Sequence, residues 1–199
     1  ARGARLDASE WSWNPHLVDL DLDGDLDVFV PTGFPFDTFD ADDQQPVKQA
    51  LWTLRRRRDS LFLYQPLILP DLVFLNEGGA RFRSATPAEF APTSSISQGS
   101  ARADLDGDGD LDLTVGVGGR YAGSGGTRLW LNNGSGAFTD AFTDVADPGL
   151  RATVGAATVL WADIDGNGLD DLCARPRNLL PQEHPPPARA ATAPQPTAR

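Results

Sequence analysis

The chain is poor in the residues from which most catalytic and redox sites are built. It has one cysteine, Cys173, so no intrachain disulfide can form and a disulfide-stapled scaffold is excluded. It has two histidines, His16 and His184, and no Gly-x-Ser-x-Gly turn, which leaves a hydrolytic triad without its parts. Gly116-Val117-Gly118-Gly119 follows an expected strand, but no helix pattern comes after it and the Lys-Ser/Thr of a phosphate loop is missing, so no nucleotide site is read there. No run reaches the roughly 18 apolar residues of a membrane-spanning helix. The best, Leu61 to Leu69, is broken by Gln65 and Pro66, so the chain is read as soluble with no membrane span. Methionine is absent and nothing near Ala1 resembles the apolar core of a signal peptide, so the sequence is expected to be a fragment or a processed piece. Positive charge is scarce: 17 Lys and Arg face 28 Asp and Glu, a net charge of -11. That balance argues against a nucleic-acid partner, which needs a basic footprint.

Acidic charge is plentiful, and it is local. Asp19 to Asp27, Asp104 to Asp112 and Asp163 to Asp171 together hold 14 of the 28 acidic residues and no base. The rest of the chain carries 14 acids against 17 bases, so the acidity belongs to three nonapeptides.

Those nonapeptides are one landmark of an internal repeat. The other is a strand and turn, Val73-Phe74-Leu75-Asn76-Glu77-Gly78-Gly79-Ala80-Arg81-Phe82 against Leu129-Trp130-Leu131-Asn132-Asn133-Gly134-Ser135-Gly136-Ala137-Phe138. From this landmark to the next acidic loop the spacing is 29 residues (75 to 104) and then 32 (131 to 163). From loop to strand-turn it is 56 (19 to 75) but only 27 (104 to 131), so about 29 residues are inserted between Val30 and Pro70. The insertion, residues 31–70, holds Asp40 to Gln45 and the basic run Arg55 to Arg58, read as a solvated face, with Val47 to Arg57 expected to be helical. The undecorated period is 59 residues (104 to 163).

Short apolar runs flank every loop: Leu17-Val18 and Val28-Phe29-Val30, Ala103 and Leu113-Thr114-Val115, Val159-Leu160-Trp161-Ala162 and Leu172-Cys173. Bounded by Gly and Asp, they read as strands, and the Asn-Glu-Gly-Gly and Asn-Asn-Gly turns read as hairpins. A 59-residue unit of short strands with no helical period fits a propeller blade. The fold class is therefore all-β, a partial β-propeller of about two and a half blades over residues 1–173. Residues 174–199, with 7 prolines, are expected to be a disordered tail. Trp11, Trp13, Trp130 and Trp161 are assigned to core or inter-blade packing. Asn133-Gly134-Ser135 forms a glycosylation sequon, read here as a hairpin asparagine.

Alternating carboxylates at positions 1, 3 and 5 of a tight loop converge on one interior point, and glycine at position 6 permits the turn. Position 1 is Asp19, Asp104 or Asp163; position 3 is Asp21, Asp106 or Asp165; position 5 is Asp23, Asp108 or Asn167. Gly24, Gly109 and Gly168 take position 6. Position 7, which is Asp25, Asp110 or Leu169, suits a backbone carbonyl ligand, and position 9, Asp27, Asp112 or Asp171, returns a carboxylate. Unit charges about 4 Å apart repel by roughly 1 kcal/mol even in water, so closing such a loop calls for a cation. Flexible coordination by six to eight hard oxygens is calcium's preference; magnesium wants near-ideal octahedral geometry, and zinc wants His or Cys. About three Ca2+ ions are expected. An EF-hand is excluded because position 12 is Val30, Val115 or Ala174 where a bidentate Glu is needed, and strands follow.

The D-x-D-x-D-G-x-x-D loops, each followed by an apolar strand and two of them then by an L-x-N-x-G-x-G-x-F type segment, resemble FG-GAP/VCBS-type repeats over roughly residues 11 to 173. Such repeats build the propellers of integrin alpha subunits and occur in secreted proteins of the cartilage acidic protein type. The resemblance implies calcium bound on one rim of a propeller, an extracellular setting, and a role in adhesion or in binding an extracellular protein or glycan, not catalysis. Asn167 in place of Asp and the small number of blades depart from the pattern, and the remaining blades are expected from a missing part of the chain. A second reading is a non-catalytic module of a larger secreted enzyme, such as a carbohydrate-active hydrolase.

Overall fold

A computed structural model describes residues 6, 10–34, 36–38, 64–90, 96–117, 127–141, 156–176 and 191–192. They form three antiparallel sheets in chain order, with no α-helix among the described residues and one 3-10 turn at Ala88–Phe90. The first sheet is the meander β1 (His16–Val18), β2 (Asp27–Val30), β3 (Leu72–Asn76) and β4 (Phe82–Ser84). The second repeats it as β5 (Ser97–Ala103), β6 (Asp112–Val117), β7 (Thr127–Asn132) and β8 (Phe138–Asp140). The third contains β9 (Ala156–Ala162), β10 (Asp171–Pro176) and β11 (Ala191–Thr192), in the order β11-β10-β9. Each acidic loop joins the first two strands of its sheet, and each strand-turn landmark is the hairpin between the third and fourth.

Alternation along the strands assigns the two faces of each sheet. Phe29, Val73 and Leu75 face the second sheet, where they meet Leu113, Val115 and Trp130 in one core with Val18, Leu20, Phe90 and Phe138. Their neighbours Val28, Val30 and Phe74 point to the opposite face and cluster with Phe82. On the far side of the second sheet, Ala101, Leu105 and Leu129 pack on Val159 and Leu172 of the third, with Trp161 against them. Trp161 also donates from Nε1 to Thr114 Oγ1 at 2.8 Å, tying β9 to β6. Stacking consecutive sheets through these two cores is propeller-like, and the three described sheets do not close on themselves. Trp130, almost wholly buried, and Trp161 therefore serve inter-sheet packing. Trp11 and Trp13 pack instead around Phe34, with ring centroids 3.9 and 5.8 Å away.

The insertion leaves the rim opposite the acidic loops. Its first and last residues pair as a stem, with Phe34 and Leu67 exchanging two backbone hydrogen bonds of 2.9 Å and Asp37 N donating to Gln65 O. At the stem's base Asp71 is buried between sheets, accepting from Thr32 N and from Ser97 Oγ, both at 2.9 Å. Desolvation pushes its carboxyl up to about 7. The helix expected at Val47 to Arg57 and the basic run Arg55 to Arg58 lie outside the described residues. Within the 174–199 segment expected to be disordered, Ala174–Pro176 continue β10 and Ala191–Thr192 pair with Leu172 and Asp171. The open edge of β10 offers backbone groups that favour such pairing, and Pro176 stands at a register shift, a position that tolerates its missing N–H.

Candidate metal loops on one rim

The three loops close by the same three side chain to backbone bonds. The position 1 carboxylate accepts the N–H of the position 6 glycine: Gly24 to Asp19 at 3.0 Å, Gly109 to Asp104 at 3.1 Å, Gly168 to Asp163 at 2.9 Å. Position 5 accepts the N–H of position 7, from Asp25 to Asp23, from Asp110 to Asp108 and from Leu169 to Asn167, at 2.8, 3.2 and 2.8 Å. Asn167 can make this bond as well as an aspartate, because only its carbonyl oxygen is used. The position 6 glycines have φ of 92°, 98° and 84°, a left-handed conformation that costs other residues roughly 1–2 kcal/mol.

The third bond belongs to position 9. Asp27, Asp112 and Asp171 are buried, and each Oδ2 accepts the N–H of position 2, from Leu20 at 2.7 Å, Leu105 at 2.7 Å and Ile164 at 3.1 Å. The other oxygen of Asp27 and Asp112 accepts a backbone N–H from the third strand, Asn76 and Asn132, both at 2.8 Å. Position 9 is thus a strut between loop and sheet, in addition to facing the loop interior. Asn76 and Asn132 complete it by donating from Nδ2 to Leu26 O and Leu111 O at 3.2 and 3.3 Å. Sequence reasoning took these asparagines only as turn markers; their identical offset after Leu75 and Leu131 was the signal of this second role.

Carboxylate oxygens converge in each loop. Asp19, Asp21 and Asp27 bring ligand atoms within 4.8 Å of one another; so do Asp104, Asp106 and Asp108, and Asp163, Asp165 and Asp171. Position 9 joins the group in the first and third loops and position 5 in the second. Desolvation, reinforced by the neighbouring carboxylates, raises the pKa of Asp21 and Asp106. Burial raises Asp110 and Asp112 to about 6 each, with repulsion from Asp108 and Asp106 adding to Asp110. Asp21 Oδ1 and Asp110 Oδ1 are buried atoms with no hydrogen-bond partner. Position 7 differs from its expected role in one respect. Asp110 is only 3% exposed and its carboxylate lies against Gly134 of the β7–β8 hairpin, so its side chain has a packing role beyond its carbonyl. An all-oxygen, multiply anionic donor set of this kind suits a hard divalent cation.

The hairpin of one sheet also docks on the loop of the sheet before it. Leu20 O accepts from Asn132 Nδ2 at 2.8 Å and from Gly136 N at 3.1 Å. A Cβ on Gly136 would stand 3.1 Å from Leu75 Cδ2, so this close approach needs glycine. Leu20 is fully buried and Leu105 nearly so, while Ile164, their counterpart in the third loop, is 60% exposed. At the hairpin tip Asn133 Oδ1 accepts from Ser135 N and Ser135 Oγ, which matches the hairpin reading of the sequon.

Residues 116–174 match the family model of the FG-GAP-like repeat. The matched stretch is 59 residues long, the same as the loop-to-loop period, and it runs from β6 of one sheet through the third acidic loop to β10 of the next. The matched stretch therefore straddles two sheets. No curated protein matches the chain at a significant level. No helix among the described residues is long and apolar enough to cross a membrane.

Proposed function

We propose that the three loops are calcium sites and that the chain is an extracellular repeat module whose role is adhesion or the binding of a protein or glycan, not catalysis. The observation that carries the reading is the threefold recurrence of one loop closure around converging carboxylates. Asp19, Asp21, Asp23 and Asp27 would hold the first ion; Asp104, Asp106, Asp108 and Asp112 the second; Asp163, Asp165, Asn167 and Asp171 the third, with position 7 carbonyls completing each shell. The buried, unpartnered Asp21 Oδ1 supports this assignment, since a buried carboxylate oxygen without a partner is costly. The FG-GAP-like match supports a binding module and an extracellular setting.

The ion's contribution is charge neutralisation: it replaces carboxylate repulsion with attraction in a loop that already has its backbone conformation. Position 9 carries that order into the sheet through Asn76 and Asn132, and the β7–β8 hairpin carries it to the neighbouring loop. Extracellular modules bind calcium with dissociation constants of roughly 0.1–1 mM, so saturation is expected outside cells. The test is a pair of melting curves. Calcium at about 100 times its dissociation constant should stabilise by about 2.7 kcal/mol for each independent site relative to chelator. Superimposable curves would refute the proposal.

A further inference from the structure

A buried carboxyl joins the base of the insertion stem to the second sheet. Asp71, immediately before β3, meets Thr32, two residues past β2, and Ser97, the first residue of β5. Its Oδ1 accepts from Thr32 N and its Oδ2 from Ser97 Oγ, both at 2.9 Å. Thr32 makes three further links: Oγ1 donates to Pro70 O at 2.8 Å, its carbonyl accepts from Ser97 N at 2.8 Å, and it bridges to Ser12. Thr32 is 1% exposed, Ser97 is fully buried and Asp71 is 9% exposed, so the junction is shut off from bulk solvent.

Both donors to Asp71 are neutral. The stem and β5 present Thr32 and Ser97, which do not titrate; the charged group acting on it among the described residues is Arg128 of β7, itself paired with Asp140 of β8 at 3.1 Å. A carboxylate taken out of water without a cation of its own favours its protonated form. Desolvation outweighs the two hydrogen bonds and the Arg128 charge, and the carboxyl is pushed up to about 7. The acid fits the same junction: Oδ1 still accepts from Thr32 N, while a proton on Oδ2 is donated to Ser97 Oγ, whose own hydroxyl proton turns away.

We propose that Asp71 is a proton-operated latch: protonated, it fastens the insertion stem to β5, and its ionisation loosens that junction so that the carboxylate reaches water. The sign follows from linkage. The carboxyl ionises near the ordinary 3.8 when exposed and near 7 when buried, so the closed junction holds the proton more tightly and opening releases it between those values. The opening equilibrium therefore rises about 50-fold from about pH 5 to about pH 7, and only about twofold more beyond, where both forms are ionised. The latch shares no residue with the calcium loops, so it stands or falls apart from the calcium reading.

The test follows amide hydrogen exchange of Thr32 and Ser97, divided by the intrinsic rate at each pH, together with the Asp71 carboxyl carbon resonance, with calcium held constant. The parent protein should lose about 50-fold in protection over that pH range, with an Asp71 midpoint near 7. Asp71→Asn keeps the neutral pattern, its oxygen accepting from Thr32 N and its amide donating to Ser97 Oγ, so its protection should stay constant. It differs from the parent only at this residue, so titration of the loop carboxylates drops out of the comparison. Ser97→Ala removes a donor to the ionised form and should move the Asp71 midpoint upward, a readout that does not depend on Asp71→Asn folding. Protection that does not change with pH in the parent, equal pH dependence in the parent and Asp71→Asn, an Asp71 midpoint in the ordinary carboxylate range, or a midpoint unmoved by Ser97→Ala would overturn the latch.

Discussion

Replacing Asp112 with Ala removes the carboxylate that accepts two backbone N–H groups, Leu105 at 2.7 Å and Asn132 at 2.8 Å, at a site with no solvent exposure. Each stranded buried donor costs about 1–3 kcal/mol, so the calcium-free protein should lose about 2–6 kcal/mol. For a chain of this size that is a fall in melting temperature of about 2–4 °C per kcal/mol. The assay is thermal or urea unfolding in chelator, where metal binding contributes nothing. Asp104→Ala is the control: its N–H partners, Gly107 and Gly109, lie in exposed loop backbone that water can satisfy, and its loss relieves repulsion. It should change chelated stability by less than about 1 kcal/mol. Equal stability of Asp112→Ala and the parent protein in chelator would refute the strut.

Gly136→Ala combines a φ of 71° with a Cβ placed 3.1 Å from Leu75 Cδ2, so it should destabilise by at least about 1–2 kcal/mol; a melting curve matching the parent's contradicts the close inter-sheet approach. The calcium-free protein should gain stability as pH falls. Asp71 titrates near 7 and Asp110 and Asp112 near 6 in the fold, all above the ordinary 3.8, so the native state binds these protons more tightly. Stability is then lost as pH rises from about 4 through about 7, and calcium should flatten or reverse that slope by favouring the ionised loops; calorimetry at both pH values, with and without calcium, checks the sign.

The parts of the fold that repeat were readable from sequence, because repetition supplies its own alignment. The runs at Val28–Val30, Leu113–Val115 and Leu172–Cys173 lie within β2, β6 and β10, and the spacing anomaly falls in the segment between β2 and β3. Periodicity of two could not say which neighbour each face meets; that came only with the shared core of Phe29, Leu113 and Trp130. Loop position 9 looked like one more ligand because its carboxylate is spaced like the others. Its strut role depends on Asn76, 49 residues beyond Asp27 in the chain, a pairing visible only once β2 and β3 are adjacent. β11 was illegible for the opposite reason: two residues in a proline-rich stretch carry no pattern, and their pairing is decided by the free edge of β10.

The central claim is that each acidic loop is a calcium site, and calorimetric titration of the chelator-stripped protein tests it most directly, run beside Asp106→Ala. Asp106 is the proposed position 3 ligand and makes no strut bond, so its loss should leave the sheet intact. The account predicts three ions for the parent and two for the variant, with dissociation constants of roughly 0.1–1 mM. No calcium binding by the parent, or the same number of ions in both proteins, would contradict it.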